Sequence, residues 1–194
     1  MKTTYKKPNS LLSKGNSNAK TIKNDINTFI MYLMPYNQNS KNINICPKAS
    51  KGCANACLAF SGMAAVYPTI LKSRKNKTEF YLHEKSNFIN QLAKEIRAKY
   101  KTAKRKGEKV AFRLNGTSDL DFIYMLKKYA NLDILTLKEH AVFYDYTKIL
   151  GKVKKYQGHE NYFLTFSRAE DNEKEALEAL SMGANVSAVF ANKL

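Results

Sequence analysis

The chain has 194 residues, which is within the size of a single domain and enough to bury a core without disulfides. Hydrophobic residues make up 44% of it, and no apolar run approaches the ~20 residues that a membrane-spanning helix needs, so we expect no membrane association. The formal charge of +17 is uneven, because residues 1–78 carry thirteen Lys or Arg against a single acid, Asp25.

A basic first third of this kind could bind the phosphates of a nucleic acid, since neutralising phosphates releases counterions. There is an alternative explanation. Of the 33 basic residues, 28 are Lys, and Asn is abundant, which is the composition that an AT-rich genome encodes regardless of partner. Arg would be favoured for planar phosphate recognition. The positive charge is therefore explained either by nucleic-acid binding or by the composition of an AT-rich genome.

Residues 1–25 are rich in Lys, Asn and Ser and poor in apolar anchors. Because such a composition cannot offset the entropy of ordering, we predict a flexible basic N-terminal arm, followed by a single α/β domain over residues 26–194. The basic start is not followed by the apolar core of a signal peptide, so we expect a cytoplasmic protein.

The first core strand is predicted over Thr28–Met34, where a short apolar run ends at Pro35. A long amphipathic helix is predicted from about Thr78 to Lys106, with its basic last turn before Gly107. Its apolar positions recur every four residues, at Phe88, Leu92, Ile96 and Tyr100.

Short apolar strands follow the helix, and each runs into polar residues. They are predicted over Val110–Leu114, Ala141–Tyr144 and Tyr162–Phe166, before an acidic helix, Glu173–Met182, and a last strand, Val186–Phe190. Near-continuous apolar strands predict a sheet covered on both faces. The fold is therefore predicted to be α/β, either a partial (β/α) barrel or an open parallel sheet with flanking helices, with the cysteine loop after the first core strand.

The polar residues that follow the strands are expected to share the carboxyl edge of the sheet, where α/β proteins place their chemistry. The side chains predicted to contact a cofactor there are Arg113, Asn115, Asp119, Asp145, Lys148, Ser167 and Arg168. Several have structural alternatives. Ser118 or Asp119 could cap the next helix, Asp145 could pair with Lys148, and Ser167 could begin the last helix. Tyr144 and Tyr146 could stack on a base or pack in the core.

The three cysteines, Cys46, Cys53 and Cys57, are separated by six and three residues. An odd number of cysteines within twelve residues suits metal ligation better than disulfides. Three thiolates can ligate three irons of a [4Fe–4S] cluster and leave the fourth iron open. Zinc is the alternative, with His83 as a fourth ligand, because a structural zinc site needs four.

A three-cysteine loop after the first strand of a full or partial (β/α) barrel resembles the radical S-adenosylmethionine enzymes, whose usual spacing is three then two residues. That resemblance implies S-adenosylmethionine as a second cofactor. The cysteine loop also stands in order before three further motifs, Arg113-Leu-Asn-Gly-Thr-Ser-Asp119, Phe143-Tyr-Asp-Tyr-Thr-Lys148 and Asn161-Tyr-Phe-Leu-Thr-Phe-Ser167-Arg-Ala-Glu170.

Together these motifs resemble an uncharacterised family of tailed-phage proteins. The resemblance implies a phage-encoded protein in the bacterial host cytoplasm, and relatives that continue past the strand Val186–Phe190. The leading hypothesis is an iron–sulfur protein that acts as a radical S-adenosylmethionine-like enzyme on a nucleic acid or a host component. The alternatives are a zinc-stabilised nucleic-acid-binding protein without catalysis, and a virion or assembly component.

Overall fold

A computed structural model describes residues 5–15 and 26–189 of the chain. The strands are β1 Leu12–Lys14, β2 Asn27–Met31, β3 Val110–Arg113, β4 Ala141–Thr147, β5 Tyr162–Ser167 and β6 Asn185–Ser187. The helices are α1 Lys51–Asn55, α2 Met63–Val66, α3 Pro68–His83, α4 Lys85–Lys106, α5 Phe122–Ala130, α6 Leu150–Tyr156 and α7 Glu173–Ser181. Short 3₁₀ helices span Leu58–Phe60 and Ile134–Thr136.

The six strands form one sheet in the order β1-β2-β3-β4-β5-β6. Strand β1 runs antiparallel to β2, and all the other neighbours are parallel. Because each parallel strand is added beside the preceding one and crossovers are right-handed, successive helices fall on the same side of the sheet. The described strands form an open sheet and not a closed barrel, which confirms the predicted α/β class and its open-sheet alternative.

Only one side of this sheet is covered by helices. Burial alternates along β4 and β5, so that Phe143 and Phe166 are buried while Tyr146 and Phe163 on the opposite side are 42% and 54% exposed. On the covered side Phe143 stacks on Phe112 of β3, its partner in the register, at 5.0 Å between ring centroids. The prediction of a sheet covered on both faces therefore holds for β3, whose successive residues Val110, Ala111 and Phe112 are all buried, and is wrong for β4 and β5. We call the uncovered side the open face.

The predicted strands after the long helix are confirmed with shifted ends. Strand β4 runs on through Asp145 to Thr147, so Asp145 lies within the strand and not in the loop that follows it. The last strand begins one residue earlier than predicted and is three residues long. The end of its predicted range, Phe190, lies outside the described residues.

The predicted helix over Thr78–Lys106 is two helices, α3 and α4, which meet at Glu84. No Gly or Pro breaks the sequence there. Instead, the Glu84 carboxylate accepts a hydrogen bond of 2.6 Å from the hydroxyl of Tyr5, far away in the chain, and backbone angles depart from helical values at Glu84. Helix α4 ends as predicted at Gly107, which has a left-handed φ of 66°.

Part of the predicted N-terminal arm lies against the domain. Leu11 is fully buried, and the Glu95 carboxylate of α4 accepts hydrogen bonds from the backbone nitrogens of Leu11 and Leu12 at 2.8 and 2.9 Å. Strand β1 then pairs with β2. The rest of the predicted arm, residues 1–4 and 16–25, lies outside the described residues.

Candidate functional site

The cysteine loop lies beyond the carboxyl end of β2, as predicted, and is tied to the loop that follows β3. The backbone nitrogen of Asp119 donates to the carbonyl of Ile45 at 3.0 Å, and the Cys46 thiol lies 3.7 Å from the carbonyl oxygen of Thr117. These contacts join the loops after two neighbouring parallel strands. Cys46 is thereby held at the carboxyl edge of the sheet.

Helix α1, which carries Cys53, is capped by Ser50 and held by Glu170, which lies in the loop after β5. The Ser50 hydroxyl accepts from the Cys53 backbone nitrogen at 3.1 Å and donates to the Glu170 carboxylate at 2.8 Å. The other Glu170 oxygen accepts from the Gly52 backbone nitrogen at 2.8 Å. We call this pair of bonds the Glu170 latch. It connects the loop after β5 to the cysteine loop.

The Glu170 latch accounts for the glycine at position 52 and for the lowered pKa of Glu170. A Cβ atom at Gly52 would lie 2.8 Å from a Glu170 carboxylate oxygen, which is closer than Cβ atoms approach other atoms in proteins. A side chain there would therefore displace the carboxylate. A hydrogen bond from its own backbone N–H, together with those from Ser50 and Gly52, lowers the pKa of Glu170. The carboxylate is thus held in its charged form.

The three thiols are free and half-buried. Burial and, to a smaller extent, the other two thiols and Asp119 together raise the pKa of Cys46 to about 11, although a backbone hydrogen bond opposes them. Burial also raises the pKa of Cys57, whereas the charges of Arg74 and Lys148 lower it. The thiols therefore lie within electrostatic reach of one another and of two cations, and Cys46 is protonated at neutral pH.

The thiols are not arranged around one point. Among the described residues, no group of three or more His, Cys, Asp or Glu side chains is placed to hold a single metal ion. Thiolates on one tetrahedral ion would lie about 3.8 Å apart, given a metal–sulfur bond of about 2.3 Å. In an iron–sulfur cluster each thiolate binds a different iron, so the sulfurs are farther apart. The described thiols are therefore not placed to hold a single metal ion.

His83, the predicted fourth zinc ligand, has other contacts. It is the last residue of α3, where its ring stacks on Tyr5 and its Nε2 lies 3.4 Å from the Glu79 carboxylate and 3.3 Å from the Ser40 hydroxyl. The Cys₃His arrangement is not formed within the described ranges.

Arg113 ends β3 on the open face. Its guanidinium lies 4.8 Å from the ring centroid of Tyr146, and its buried Nε atom has no hydrogen-bond partner in the described part of the chain. Burial raises the pKa of the neighbouring Tyr144, and the charge of Arg113 opposes that shift. Arg113 is therefore a partly desolvated cation with a free donor, as a binding residue would be.

Two of the predicted site residues form a buried structural pair. The Asp145 carboxylate accepts from the backbone nitrogen of Asn115 at 2.8 Å and from its amide at 3.0 Å. In turn, the side-chain oxygen of Asn115 accepts from the Ser118 hydroxyl and the Leu120 backbone nitrogen. Burial raises the pKa of Asp145, opposed by Lys152 and by the bonds from Asn115. These side chains shape the loop after β3.

Asp119 is likewise used internally. Its carboxylate accepts from the Thr147 hydroxyl at 2.8 Å, the Lys148 backbone nitrogen at 2.9 Å and the Lys152 ammonium at 2.9 Å. Both Asp119 and Lys152 are buried. The predicted caps at Ser118 or Asp119 are wrong, because Asp121 caps α5 by accepting from a backbone nitrogen.

The remaining predicted residues, Lys148, Ser167 and Arg168, are partly or fully exposed to solvent. The Lys148 ammonium lies 3.4 Å from the Ser167 hydroxyl, on the open face, and its charge reaches Cys57. The predicted pair of Lys148 with Asp145 is not formed. Arg168 is exposed and pairs with Glu173 at 2.8 Å. Ser167 does not cap α7, whose N-cap residue is Asn172. Arg113, Lys148 and Ser167 are thus the predicted residues that could meet a ligand.

Sequence reasoning missed Arg74, which lies on α3 beside the cysteine loop. Its Nη1 donates to the Ala59 carbonyl at 2.6 Å, its guanidinium lies 4.8 Å from the Tyr32 ring centroid, and its buried Nε has no partner among the described residues. Burial lowers the pKa of Arg74, while Tyr32 and Cys57 raise it. One signal was available, since Arg74 is one of only five arginines in a lysine-rich chain.

A family model described as Gene product 88 matches residues 6–194. The chain therefore belongs to the Gene product 88 family, which confirms the resemblance to an uncharacterised family of phage proteins. No curated protein and no solved structure gives a significant match. None of the described helices is long and apolar enough to cross a membrane.

Proposed function

We propose that in this member of the Gene product 88 family Cys46, Cys53 and Cys57 hold a [4Fe–4S] cluster with one iron open to a ligand. One observation carries the proposal. Three half-buried free thiols lie at the carboxyl edge of a parallel sheet, on a loop that the Glu170 latch fastens to the loop after β5. Three thiolates leave one iron of such a cluster without a protein ligand.

The charges around the thiols support a bound anionic group. A thiol must lose its proton to bind iron, and burial alone opposes that loss at Cys46 and Cys57. Two cations offset part of this effect at Cys57, because Arg74 and Lys148 favour its charged form. Iron binding would therefore release protons, and the negative charge of a cluster would be offset by these two residues.

We further propose S-adenosylmethionine as the ligand at the open iron. The bound pair would supply one-electron chemistry on the sulfonium, with the electron delivered by an external reductant. Arg113, Lys148 and Ser167 carry the cationic and hydroxyl donors that a carboxylate and a ribose require, and Arg113 has a buried Nε without a partner in the described chain. Asn115, Asp119 and Asp145 would act as positioning residues that fix the loops.

Two aromatic side chains suit the adenine of such a ligand. Tyr144 and Tyr146 alternate with buried residues along β4 and lie on the open face beside Arg113. Every base has a π face that a tyrosine can stack on. The order of the strands supports the same proposal, since parallel strands added one after another, with helices on one side, are the arrangement of a (β/α)-barrel segment.

Zinc is the less favoured cofactor, because a zinc site needs four ligands at one point and the described residues offer no such group. Arg74 and Lys148 favour the charged form of Cys57, which any bound metal requires, so they support a metal-bound loop over one without a metal.

The test is anaerobic purification followed by iron, sulfide and zinc analysis of three proteins: wild type, Cys53→Ser, and Ala54→Ser as a neighbour that keeps all thiols. We expect about four irons and four sulfides per chain in the wild type and in Ala54→Ser, and their loss in Cys53→Ser. Stoichiometric zinc without iron would overturn the cluster, and so would the absence of any metal. Cleavage of S-adenosylmethionine by the reduced protein then tests the second proposal.

A further inference from the structure

Two adjoining cavities form a groove between residues 6–10 and helix α3. Their volumes are about 210 and 300 Å³, and Thr69 and Ser73 border both, so the cavities are continuous. Tyr32 and Arg74 border the smaller cavity, while Lys72 borders the larger one. We call this feature the α3 groove.

The charged side chains that border the α3 groove all have the same sign. They are Lys6, Lys7, Lys72, Arg74 and Lys77, and no Asp or Glu of the described chain borders it. Most of the other bordering residues carry hydroxyl or amide groups. Lys7 pairs with Glu84 at 3.3 Å, but Lys6 and Lys72 have no acidic partner in the described ranges. A groove of cations and hydrogen-bond donors selects an anionic ligand.

Lys77 is buried and Arg74 is half-buried, and neither forms an ion pair within the described residues. The Lys77 ammonium donates to the carbonyl of Leu11 at 2.7 Å and lies 3.5 Å from the Ser13 hydroxyl. Burial lowers its pKa to about 8, although the charge of Glu95 opposes that shift. Arg74 has its buried Nε atom unpaired among the described residues. Burying a charge without a partner is costly, and an anion in the groove would offset that cost.

The shape of the groove favours a chain over a small metabolite. Thr69, Lys72, Ser73 and Asn76 lie on one side of α3, and the seven steps from Thr69 to Asn76 cover about 10 Å. Donors at that spacing can meet successive phosphates of an extended strand. At the Asn76 end the two walls meet, because the Asn76 side-chain oxygen accepts a hydrogen bond from the Lys6 backbone nitrogen at 3.3 Å.

We propose that the α3 groove binds the phosphodiester backbone of a single-stranded nucleic acid. Arg74 borders the groove and also acts on Cys57, so a bound strand would pass beside the cysteine loop. The role of that strand as the substrate rests on the proposed function. Its binding does not, because no thiol borders the groove among the described residues.

The test uses fluorescence anisotropy with labelled oligothymidylate and oligouridylate of about ten nucleotides, a length within known single-strand site sizes. Lys6→Ala/Lys72→Ala removes two cations from the groove. Lys94→Ala/Lys101→Ala removes two exposed cations from α4 and is the matched control. We expect the groove variant to bind about tenfold more weakly at low salt, and the slope of log Kd against log salt to fall by about 1.4. The control should stay within about twofold of wild type.

Equal weakening in both double variants would overturn the proposal, because binding would then follow total charge. Absence of binding at low salt in the wild type would overturn it as well. Ser73→Glu places a negative charge on an exposed groove position and should abolish binding while leaving the thermal transition unchanged.

The same titration on Cys53→Ser separates this proposal from the proposed function. Unchanged oligonucleotide binding by a metal-free protein is the expected result. Iron in a protein that binds no oligonucleotide would overturn the groove alone, and oligonucleotide binding without iron in the wild type would overturn the cluster alone. Comparing the two oligonucleotides tells whether the strand is DNA or RNA, since only RNA carries the 2′-hydroxyl.

Discussion

The Glu170 carboxylate accepts a hydrogen bond from the backbone nitrogen of Gly52, 118 residues earlier in the chain, at 2.8 Å. This bond joins the loop after β5 to the loop after β2, across the carboxyl edge of β3 and β4. The same carboxylate accepts from Ser50, which caps α1. A single acidic side chain therefore holds the helix that carries Cys53.

Glu170→Ala should loosen the cysteine loop without unfolding the domain, because Glu170 itself is exposed and contributes little to the core. In metal-free protein we expect Cys53 and Cys57 to react severalfold faster with iodoacetamide and the Gly52 amide to lose protection from hydrogen exchange. Glu173→Ala, which removes a nearby exposed carboxylate, is the control. Equal thiol reactivity in the two variants would show that the latch does not restrain the loop.

The latch should also open at low pH. The pKa of Glu170 is lowered below its ordinary value of 4.5, so the stability that the latch adds is complete above that pH and is lost as pH falls through the lowered value. Exchange of the Gly52 amide, followed by NMR from pH 6 downward, should accelerate below about pH 4.5 beyond the intrinsic pH trend. In Glu170→Ala the same amide should show no such step.

Gly116→Ala should destabilise the protein by about 1–3 kcal/mol, the usual cost of overpacking. A Cβ atom at Gly116 would lie 2.7 Å from the Met31 carbonyl oxygen and 2.9 Å from a methyl carbon of Ile30, so the loop after β3 would have to move away from β2. Gly151, in α6, has nothing within 4 Å of the corresponding position. Gly151→Ala should therefore stabilise the protein by up to about 1 kcal/mol, and urea unfolding of both variants measures the contrast.

Lys152→Met should cost about 3 kcal/mol of unfolding free energy, because it leaves the buried Asp119 carboxylate without its cation. The exposed pair of Lys127 and Asp133, at 2.9 Å, provides the comparison. Lys127→Met should cost less than about 1 kcal/mol, since solvent screens that pair. Similar losses in the two variants would contradict the structural role assigned to Asp119.

Alkylation of Cys46 should require unusually high pH in the folded, metal-free protein. Its pKa is raised from 9.0 to about 11, so the reactive thiolate forms two pH units later than in the unfolded chain. Labelling followed by mass spectrometry should give rates that still rise above pH 9 in buffer but level off near pH 9 in urea. The folded state keeps the proton, so the contribution of Cys46 to stability is full below about pH 9 and declines above it.

The sequence was sufficient for the parallel strands and for the placement of the cysteine loop, because apolar runs that end in polar residues are local signals. The sequence did not predict that one face of β4 and β5 is uncovered. Tyr144, Tyr146 and Phe163 are aromatic, so β4 and β5 read as continuous apolar runs although every second side chain lies on the uncovered side. Aromatic residues on an uncovered face conceal the alternation that marks a one-sided sheet.

Contacts between distant residues account for the other differences. Asp145 and Asn115 have the composition of a ligand site, but their hydrogen bonds to each other form only when β3 and β4 are adjacent. The helix break at Glu84 depends on Tyr5, and the buried state of Lys77 depends on Leu11. No local pattern around these residues encodes such partners.

The order of the sheet has a consequence for synthesis of the chain. Each parallel strand pairs with its predecessor in sequence, so the units can dock one after another as they leave the ribosome. The Glu170 latch is an exception, since about 120 residues separate its partners. During translation the thiol-bearing loop thus emerges early and is fastened late, which leaves an interval in which its thiols are accessible to other molecules.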